Sequence, residues 1–435
     1  MNTLPLRIIG EIVSHLDALV DRLFVSLLCK RLFEHRLNRQ ASIDLRSYIN
    51  RDDQSFSLNA FKVVLNMSNL RSVSFRFKGA ANEHPFSESH PMFVDICSVL
   101  REVAKRSVRM TLILEDYPVS GLHHIPVTHM YMMTDRLTPS DESLRQHQYL
   151  PTTLKSLKMP SNFKGTLDNI VMPDGLLTLE LPNSGWNHPI LPNTLPSHLE
   201  ELVLPRHFDQ VIQAQTFPAT LKRLKIGQCF THSLIGVLPP SLTCLDMSAI
   251  DINYHHDLVY LPTRLTTIHL PMHFKRTLDH PPLQYIYACN YYLSPSRPFP
   301  NLKKLKTRYM KSTHNFDTVH FPKLTGLTIV DGDDPLNLST VPWSTMKHCN
   351  LFCDYGIGRN PLRTIKDAIP FGVKKLSLAN CNFSIAPPGC LPASITRLAL
   401  WRMIGLKPGD IPSSVTWLEI QEECLDIYVN THWNL

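Results

Sequence analysis

Between residues 150 and 420 one phrase returns at a nearly constant interval: an aliphatic residue, a proline, two further residues, then Leu-x-x-Leu-x-Leu. It reads LPTTLKSLKM at Leu150–Met159, LPSHLEELVL at Leu195–Leu204, FPATLKRLKI at Phe217–Ile226 and LPASITRLAL at Leu391–Leu400. The prolines of the first six units are Pro151, Pro173, Pro196, Pro218, Pro239 and Pro262, spaced 22, 23, 22, 21 and 23 residues apart. An ordinary globular core does not repeat on so short and steady a period, so the chain must build a stacked array.

Each unit carries its own folding instructions. The last leucines of the phrase alternate with polar residues, which is the period of a strand with one buried face. Proline has no N–H for a sheet ladder, so it belongs in the turn that enters the strand. About 12 residues past the proline stands an aromatic: Phe163, Trp186, Phe208, Phe230 and Phe274, with Tyr254 slightly late. An aliphatic follows it (Leu167, Ile190, Ile212, Leu234, Leu258, Leu278). Strand aliphatics, aromatic and return aliphatic would share one interior. One such unit is too small to offset the entropy of ordering its backbone, and only stacking buries both of its flat faces. Beyond Pro262 the units loosen to spacings of 20, 18, 22, 20, 28, 22 and 20, ending at Pro412, and the longest interval is expected to hold a bulged loop over Cys349–Pro361. Leu70–Phe75 and Met110–Leu114 are expected to be earlier strands, and residues 422–435 a cap on the open end.

The units resemble the FNIP repeat, a leucine-rich-repeat-like family whose pattern is Leu-Pro-x-Ser-Leu-x-x-Leu-x-Leu followed by Phe-Asn-x-Pro-Ile or Leu. Trp186-Asn187-His188-Pro189-Ile190 and, more loosely, Phe383–Pro387 carry the second half of that pattern. The resemblance implies a leucine-rich-repeat-like β-solenoid with a period of about 22 residues and a binding scaffold without shared chemistry. The expected organisation is a small helical motif over residues 1–45, an irregular lead-in over 46–149, the FNIP-type solenoid over 150–421 and the cap over 422–435.

The first forty residues follow a different period. Thr3 and Pro5 suit the first turn of a helix, and Ile8, Ile9, Ile12, Val13 and Leu16 form one apolar stripe at helical spacing. Asp21 is placed to cap a second helix carrying Leu23, Phe24, Leu27, Leu28 and Leu32 and ending among cations. Two such short helices need a cover, which either the first repeats or a partner supplies. Leu4-Pro5, Ile8-Ile9, Ile12-Val13, Leu16 and Leu28-Cys29-Lys30 together resemble an F-box. That resemblance implies docking of these residues onto the small adaptor of an SCF-type cullin ubiquitin ligase. F-box followed by leucine-rich repeats is a substrate-receptor layout, so the implied second partner is an unknown protein substrate.

Other functional classes find little support. The net charge of +7 is small for 435 residues and marks no nucleic-acid protein. No uninterrupted run of 18 apolar residues exists, so no membrane helix is expected, and the ten scattered cysteines suit reduced thiols in cytoplasm or nucleus. His348 with Cys349 and Cys353, and Cys381 with Cys390, have admissible zinc spacings but no second compact pair, and are read as buried structural thiols. Asp331–Asp334 lacks the remaining ligands of a calcium loop and is read as a turn. His188, Gln210, His232 and His256 recur two residues after the aromatics and are expected to stack into a polar ladder. With no phosphate loop, nucleophile elbow or zinc-protease motif, neither a catalytic residue, a metal site nor a cofactor is expected.

What remains is the outward side of the strands. The candidate partner-binding face comprises Lys158, Glu180, Glu201, Arg223, Lys225, Asp246, His269, Lys304, Lys306, Lys375, Arg397 and Trp417. Its signs are mixed, which suits a protein or peptide better than a phosphate backbone.

Overall fold

The computed structural model describes residues 40–44, 71–78, 98, 100–106, 108–115, 126–133, 150–161, 163–181, 185–251, 254–288, 298–307, 320–330, 346–352, 372–379, 389–401 and 405–421. The chain divides into two compact units, Met1–Leu221 and Lys222–Leu435. Among the described residues of each, parallel strands succeed one another in chain order.

The first unit holds β1 (Gln40–Asp44), β2 (Ser72–Lys78), β3 (Arg109–Glu115), β4 (His129–Met132), β5 (Ser156–Lys158), β6 (Thr178–Glu180) and β7 (Glu201–Val203). Each pairs in parallel with the next. The second unit runs β8 (Arg223–Lys225), β9 (Cys244–Asp246), β10 (Thr267–His269), β11 (Tyr285–Ala288), β12 (Lys304–Thr307), β13 (Gly326–Val330), β14 (His348–Phe352), β15 (Lys375–Ala379), β16 (Arg397–Trp401) and β17 (Trp417–Gln421), again with parallel neighbours throughout.

The sequence phrase maps onto each rung in a fixed way. The proline carbonyl accepts from the N–H three residues on: Leu154 to Pro151, Leu176 to Pro173, Leu199 to Pro196, Leu242 to Pro239, Leu265 to Pro262, at 2.9–3.1 Å. The proline therefore opens a turn, where its missing N–H costs nothing. The strand that follows is only three residues long in the regular rungs, and its middle residue is the second leucine of the phrase. First, second and third aliphatics are all buried, as in Leu154, Leu157 and Met159 or Leu221, Leu224 and Ile226. Rungs are laced where the strand begins: the N–H groups of Thr243 and Cys244 both donate to Lys222 O, and Thr266 and Thr267 both donate to Thr243 O. Threonine at this position adds its hydroxyl, so Thr243 Oγ1 donates to Lys222 O at 3.0 Å and Thr416 Oγ1 to Thr396 O at 3.1 Å.

The return leg fills the rest of the interior. Phe163, Trp186, Phe208, Phe230, Tyr254 and Phe274 are buried, as are the six return aliphatics Leu167, Ile190, Ile212, Leu234, Leu258 and Leu278. Trp186 stacks on Phe208 at 6.1 Å between centroids, and Tyr254 on Phe274 at 6.5 Å. The polar ends of these rings reach the preceding rung: Trp186 Nε1 donates to Gly165 O (2.7 Å) and Tyr254 Oη to His232 O (3.0 Å). A buried ring with a satisfied polar handle is what lets Trp and Tyr substitute for Phe here.

The early strands expected at Leu70–Phe75 and Met110–Leu114 are β2 and β3. The helical reading of residues 1–45 needs correction at its end, because Gln40–Asp44 is a strand paired with β2. Its alternating Ala41 and Ile43 stand opposite Val73 and Phe75, both buried, which is strand and not helix periodicity. Residues 1–39, which carry the F-box resemblance, lie outside the described residues, as do 422–435 and Asp331–Asp334. The loop expected over Cys349–Pro361 begins as strand, since β14 continues to Phe352, and residues 353–361 lie outside the described residues.

Candidate functional site

Parallel pairing in register lines up equivalent positions of successive rungs into columns. In the second unit the middle column is buried from Leu224 through Leu245, Ile268, Ile286, Leu305, Leu327, Cys349 and Leu376 to Leu398. The columns on either side therefore point the other way, out of the coil. All twelve residues of the expected face occupy the first or third position of a strand: Lys158, Glu180 and Glu201 in the first unit, and Arg223, Lys225, Asp246, His269, Lys304, Lys306, Lys375, Arg397 and Trp417 in the second. None of them is buried, and Trp417 keeps 40% of its surface exposed.

Contacts along the columns join neighbouring rungs. In the first unit Lys158 Nζ lies 2.7 Å from Glu180 Oε1. In the second, Asp246 stands between Lys225 (3.9 Å) and His269 (3.9 Å). His269 stacks on Tyr287 with centroids 4.2 Å apart. Lys304 Nζ lies 5.5 Å over the Tyr285 ring, and the Arg397 guanidinium 4.7 Å over Trp417. Burial against these neighbours holds His269 below its ordinary pKa, with Lys306 and Lys225 pressing the same way and Asp246 opposing. Burial also lowers His348, helped by Lys375, Lys304 and Lys347.

Tyr285, Tyr287 and His348 share this face, and the sequence reading missed them. Their signal was present in the alternation of Tyr285-Ile286-Tyr287 around a buried middle residue and of His348 beside buried Cys349.

The cysteine–histidine reading takes a definite form. Cys349 sits in the leucine column, its thiol pushed up to about 12 by full burial, while His348 occupies an outward column of the same strand. Adjacent strand residues project to opposite faces, so the two cannot converge on one ion. Cys390 is buried, and Cys353 and Cys381 lie outside the described residues. The residues of the anticipated polar ladder pack beside the aromatics: His188, His232 and His256 lie edge-on to Trp186, Phe230 and Tyr254 at 5.4–5.8 Å. Rung-to-rung bonds run through them, with Asn187 Oδ1 accepting from Asp209 N–H (2.9 Å) and Gln210 Nε2 (3.2 Å), and His256 Nε2 donating to Thr231 O (2.8 Å). Among the described residues no helix is long and apolar enough to cross a membrane.

The FNIP Repeat family model matches residues 186–229 and 208–249, two overlapping stretches that begin at the rung aromatics Trp186 and Phe208. A circular leucine-rich-repeat protein, CroV588, has a crystal structure similar to this one at a TM-score of 0.52 and 19% identity, covering 84% of this chain and 58% of that one. The chain is a repeat protein. Its rungs form a leucine-rich-repeat-like parallel β-solenoid, and the chain spans under two thirds of the length of the structure it matches. Weaker similarities reach an internalin of Listeria monocytogenes (TM-score 0.32, 12% identity, 83% of each chain) and a leucine-rich-repeat protein of Leptospira interrogans (TM-score 0.30, 13% identity, 72% of this chain and 85% of that one), neither of which bears on the fold. Comparison with curated proteins found no match.

Proposed function

We propose that this chain is a non-enzymatic protein-interaction scaffold, and that it serves as substrate receptor of an SCF-type cullin ubiquitin ligase. The observation that carries the scaffold reading is the pair of outward columns. They present chemically varied, solvent-accessible side chains in register on a framework whose inward side chains are consumed by its own core. Such a surface binds by shape and charge across many rungs, and among the described residues it gathers no nucleophile, base and orienting group at one point. The receptor reading adds the F-box resemblance of residues 1–45, with Leu4, Pro5, Ile8, Ile9, Ile12, Val13, Leu16, Leu28, Cys29 and Lys30 facing the ligase adaptor. The face of the array would then hold the substrate, in cytoplasm or nucleus.

A second reading keeps the scaffold and drops the ligase: the N-terminal helices only cover the end of the array. One observation favours it. The first strand, Gln40–Asp44, begins eight residues after Leu32, the last apolar residue expected on the second helix, so that segment lies beside the array's first rung along the chain. Co-purification with the ligase adaptor separates the two. The receptor reading expects capture by the intact chain and its loss when Leu4, Pro5 and Ile12 are changed together to Asp, Ala and Asp. Capture that survives those changes, or no capture by the intact chain, leaves the scaffold alone standing.

A further inference from the structure

The signs on the outward columns are mixed overall but segregated within the second unit. From β10 to β16 the first and third strand positions include no carboxylate, and the nearest on either side are Asp246 on β9 and Glu419 on β17. Among the described residues from His280 to Trp401 there is no Asp or Glu at all; the acids of that stretch, such as Asp331 and Asp354, fall outside them. The cations in this window are Lys304 and Lys306 on β12, Lys375 on β15 and Arg397 on β16. Between them in the first column stand Gly326 and His348. Gly326 is buried beneath the Lys304 stem: a Cβ placed there would lie 3.2 Å from Lys304 Cγ. Burial lowers the His348 pKa most, and Lys375, Lys304 and Lys347 add to that shift.

We infer that this window, from Lys304 to Arg397, docks an extended acidic polypeptide segment of a protein partner. The inference deepens the scaffold reading and rests on it. Charge complementarity selects the sign of the occupant, and the dimensions select its form. Four rung steps at about 4.8 Å span about 19 Å, which some six residues of extended chain cover at about 3.3 Å each. A nucleic-acid strand fits less well, because it wants a longer basic track and open aromatic faces for its bases. Here the track is bounded by carboxylates at both ends, and the rings are engaged: Tyr285 under Lys304, Tyr287 against His269, Trp417 under Arg397.

The test uses the full chain and fluorescence anisotropy with labelled peptides of about 12 residues alternating Glu and Ser, Gln and Ser, or Lys and Ser, beside an oligothymidylate of similar length. The Glu peptide should bind, and raising salt from about 50 to about 200 mM should weaken it. Changing Lys375 and Arg397 together to Glu should weaken it by about tenfold or more. The milder Lys375→Gln, Arg397→Gln pair should act in the same direction with an unchanged melting curve, and Lys275→Glu, on the return leg, should leave binding within about twofold. Equal binding of the Gln peptide, tighter binding of the oligothymidylate, or indifference to the Gln pair overturns the inference. So does a second copy of this chain occupying the window, seen as self-association lost on charge reversal. Adaptor capture depends on residues 1–45 and not on this window, so a chain that captures the adaptor and ignores the Glu peptide overturns this inference alone.

Discussion

Three residues ahead of the rung-entry proline the backbone turns into the left-handed region. Asn193 (φ 65°) and Gln215 (φ 66°) do so before Pro196 and Pro218, and Gly236, Gly389 and Gly409 before Pro239, Pro392 and Pro412. Tyr260 (φ 55°) does the same two residues before Pro262, with 88% of its surface exposed and so little packing to lose. Glycine meets this geometry without a Cβ penalty and asparagine nearly so, whereas glutamine and tyrosine are strained there. We expect Gln215→Gly and Tyr260→Gly each to raise stability by about 0.5–1 kcal/mol, less than the full left-handed penalty because glycine also loosens the unfolded chain. Urea denaturation checks this, and a loss of stability in both would show that side-chain contacts outweigh φ at these sites. The stacked rings invite the opposite experiment. Phe208 is fully buried on Trp186, so Phe208→Ala should cost about 3–5 kcal/mol. Trp186→Phe, which keeps the ring stack and loses the bond to Gly165 O, should cost nearer 1 kcal/mol beyond its lost ring area.

At the scale of the element, the turn between β10 and β11 contains a titratable group the sequence did not single out. His280 is buried, its Nε2 donates to Leu265 O at 3.0 Å, and burial holds its pKa below 6.5, with that bond and Asp279 opposing the shift. A depressed pKa means the unfolded chain takes up the proton first. The stability this group contributes is therefore whole above pH 6.5 and is lost as the pH falls through the folded value. His129, His269 and His348 are lowered in the same direction. Melting temperature should accordingly fall between neutral and mildly acid pH, and His280→Gln, which keeps a donor for Leu265 O, should flatten that slope without abolishing it. A variant with the parent's slope would exclude His280 as a contributor. These elements also mark what was legible. The phrase Leu-x-x-Leu-x-Leu determines that the second residue of each strand from β5 to β16 is buried, so the expected outward positions on those strands flank a buried column, whereas on β17 Leu418 is itself 43% exposed. The aromatic and the return aliphatic were equally readable because, Tyr254 and Leu258 apart, their spacing from the proline varies by no more than one residue. Residues that break the phrase were not. Gln40–Asp44 is a strand with no leucine to announce it, Cys349 replaces the column leucine, and Gln215 and Tyr260 carry no glycine to signal a left-handed turn. The cationic window was not separated because the outward positions were taken as one face of mixed sign, although its carboxylates, Glu180, Glu201 and Asp246, all precede β10.

For the whole molecule the governing property is that a rung touches chiefly the rungs before and after it, so stability is nearly a sum over rungs and their interfaces. Length is then adjustable in whole periods and in nothing smaller. Removing Pro239–Leu261, 23 residues, joins Leu238 to Pro262 and recreates an intact Leu-Pro-x-x-Leu entry ahead of β10. It would set Leu224 of β8 opposite Ile268 of β10 and Phe230 near Phe274, each pair matching the chemistry of the rung removed. Removing only Pro239–Ile250, 12 residues, takes away the turn and β9 but leaves Tyr254 and Leu258 on a return leg with no strand to complete their rung. The interior would then hold two large side chains with half their cover gone. We expect the whole-period deletion to fold cooperatively with a melting temperature within about 5 °C of the parent, and the half-period deletion to lose cooperative unfolding or melt far lower. Circular dichroism melts of the two proteins side by side decide the matter. Equal damage from both deletions would mean that the rungs are held by long-range contacts, and the stacked-array account of this sequence would fail with it.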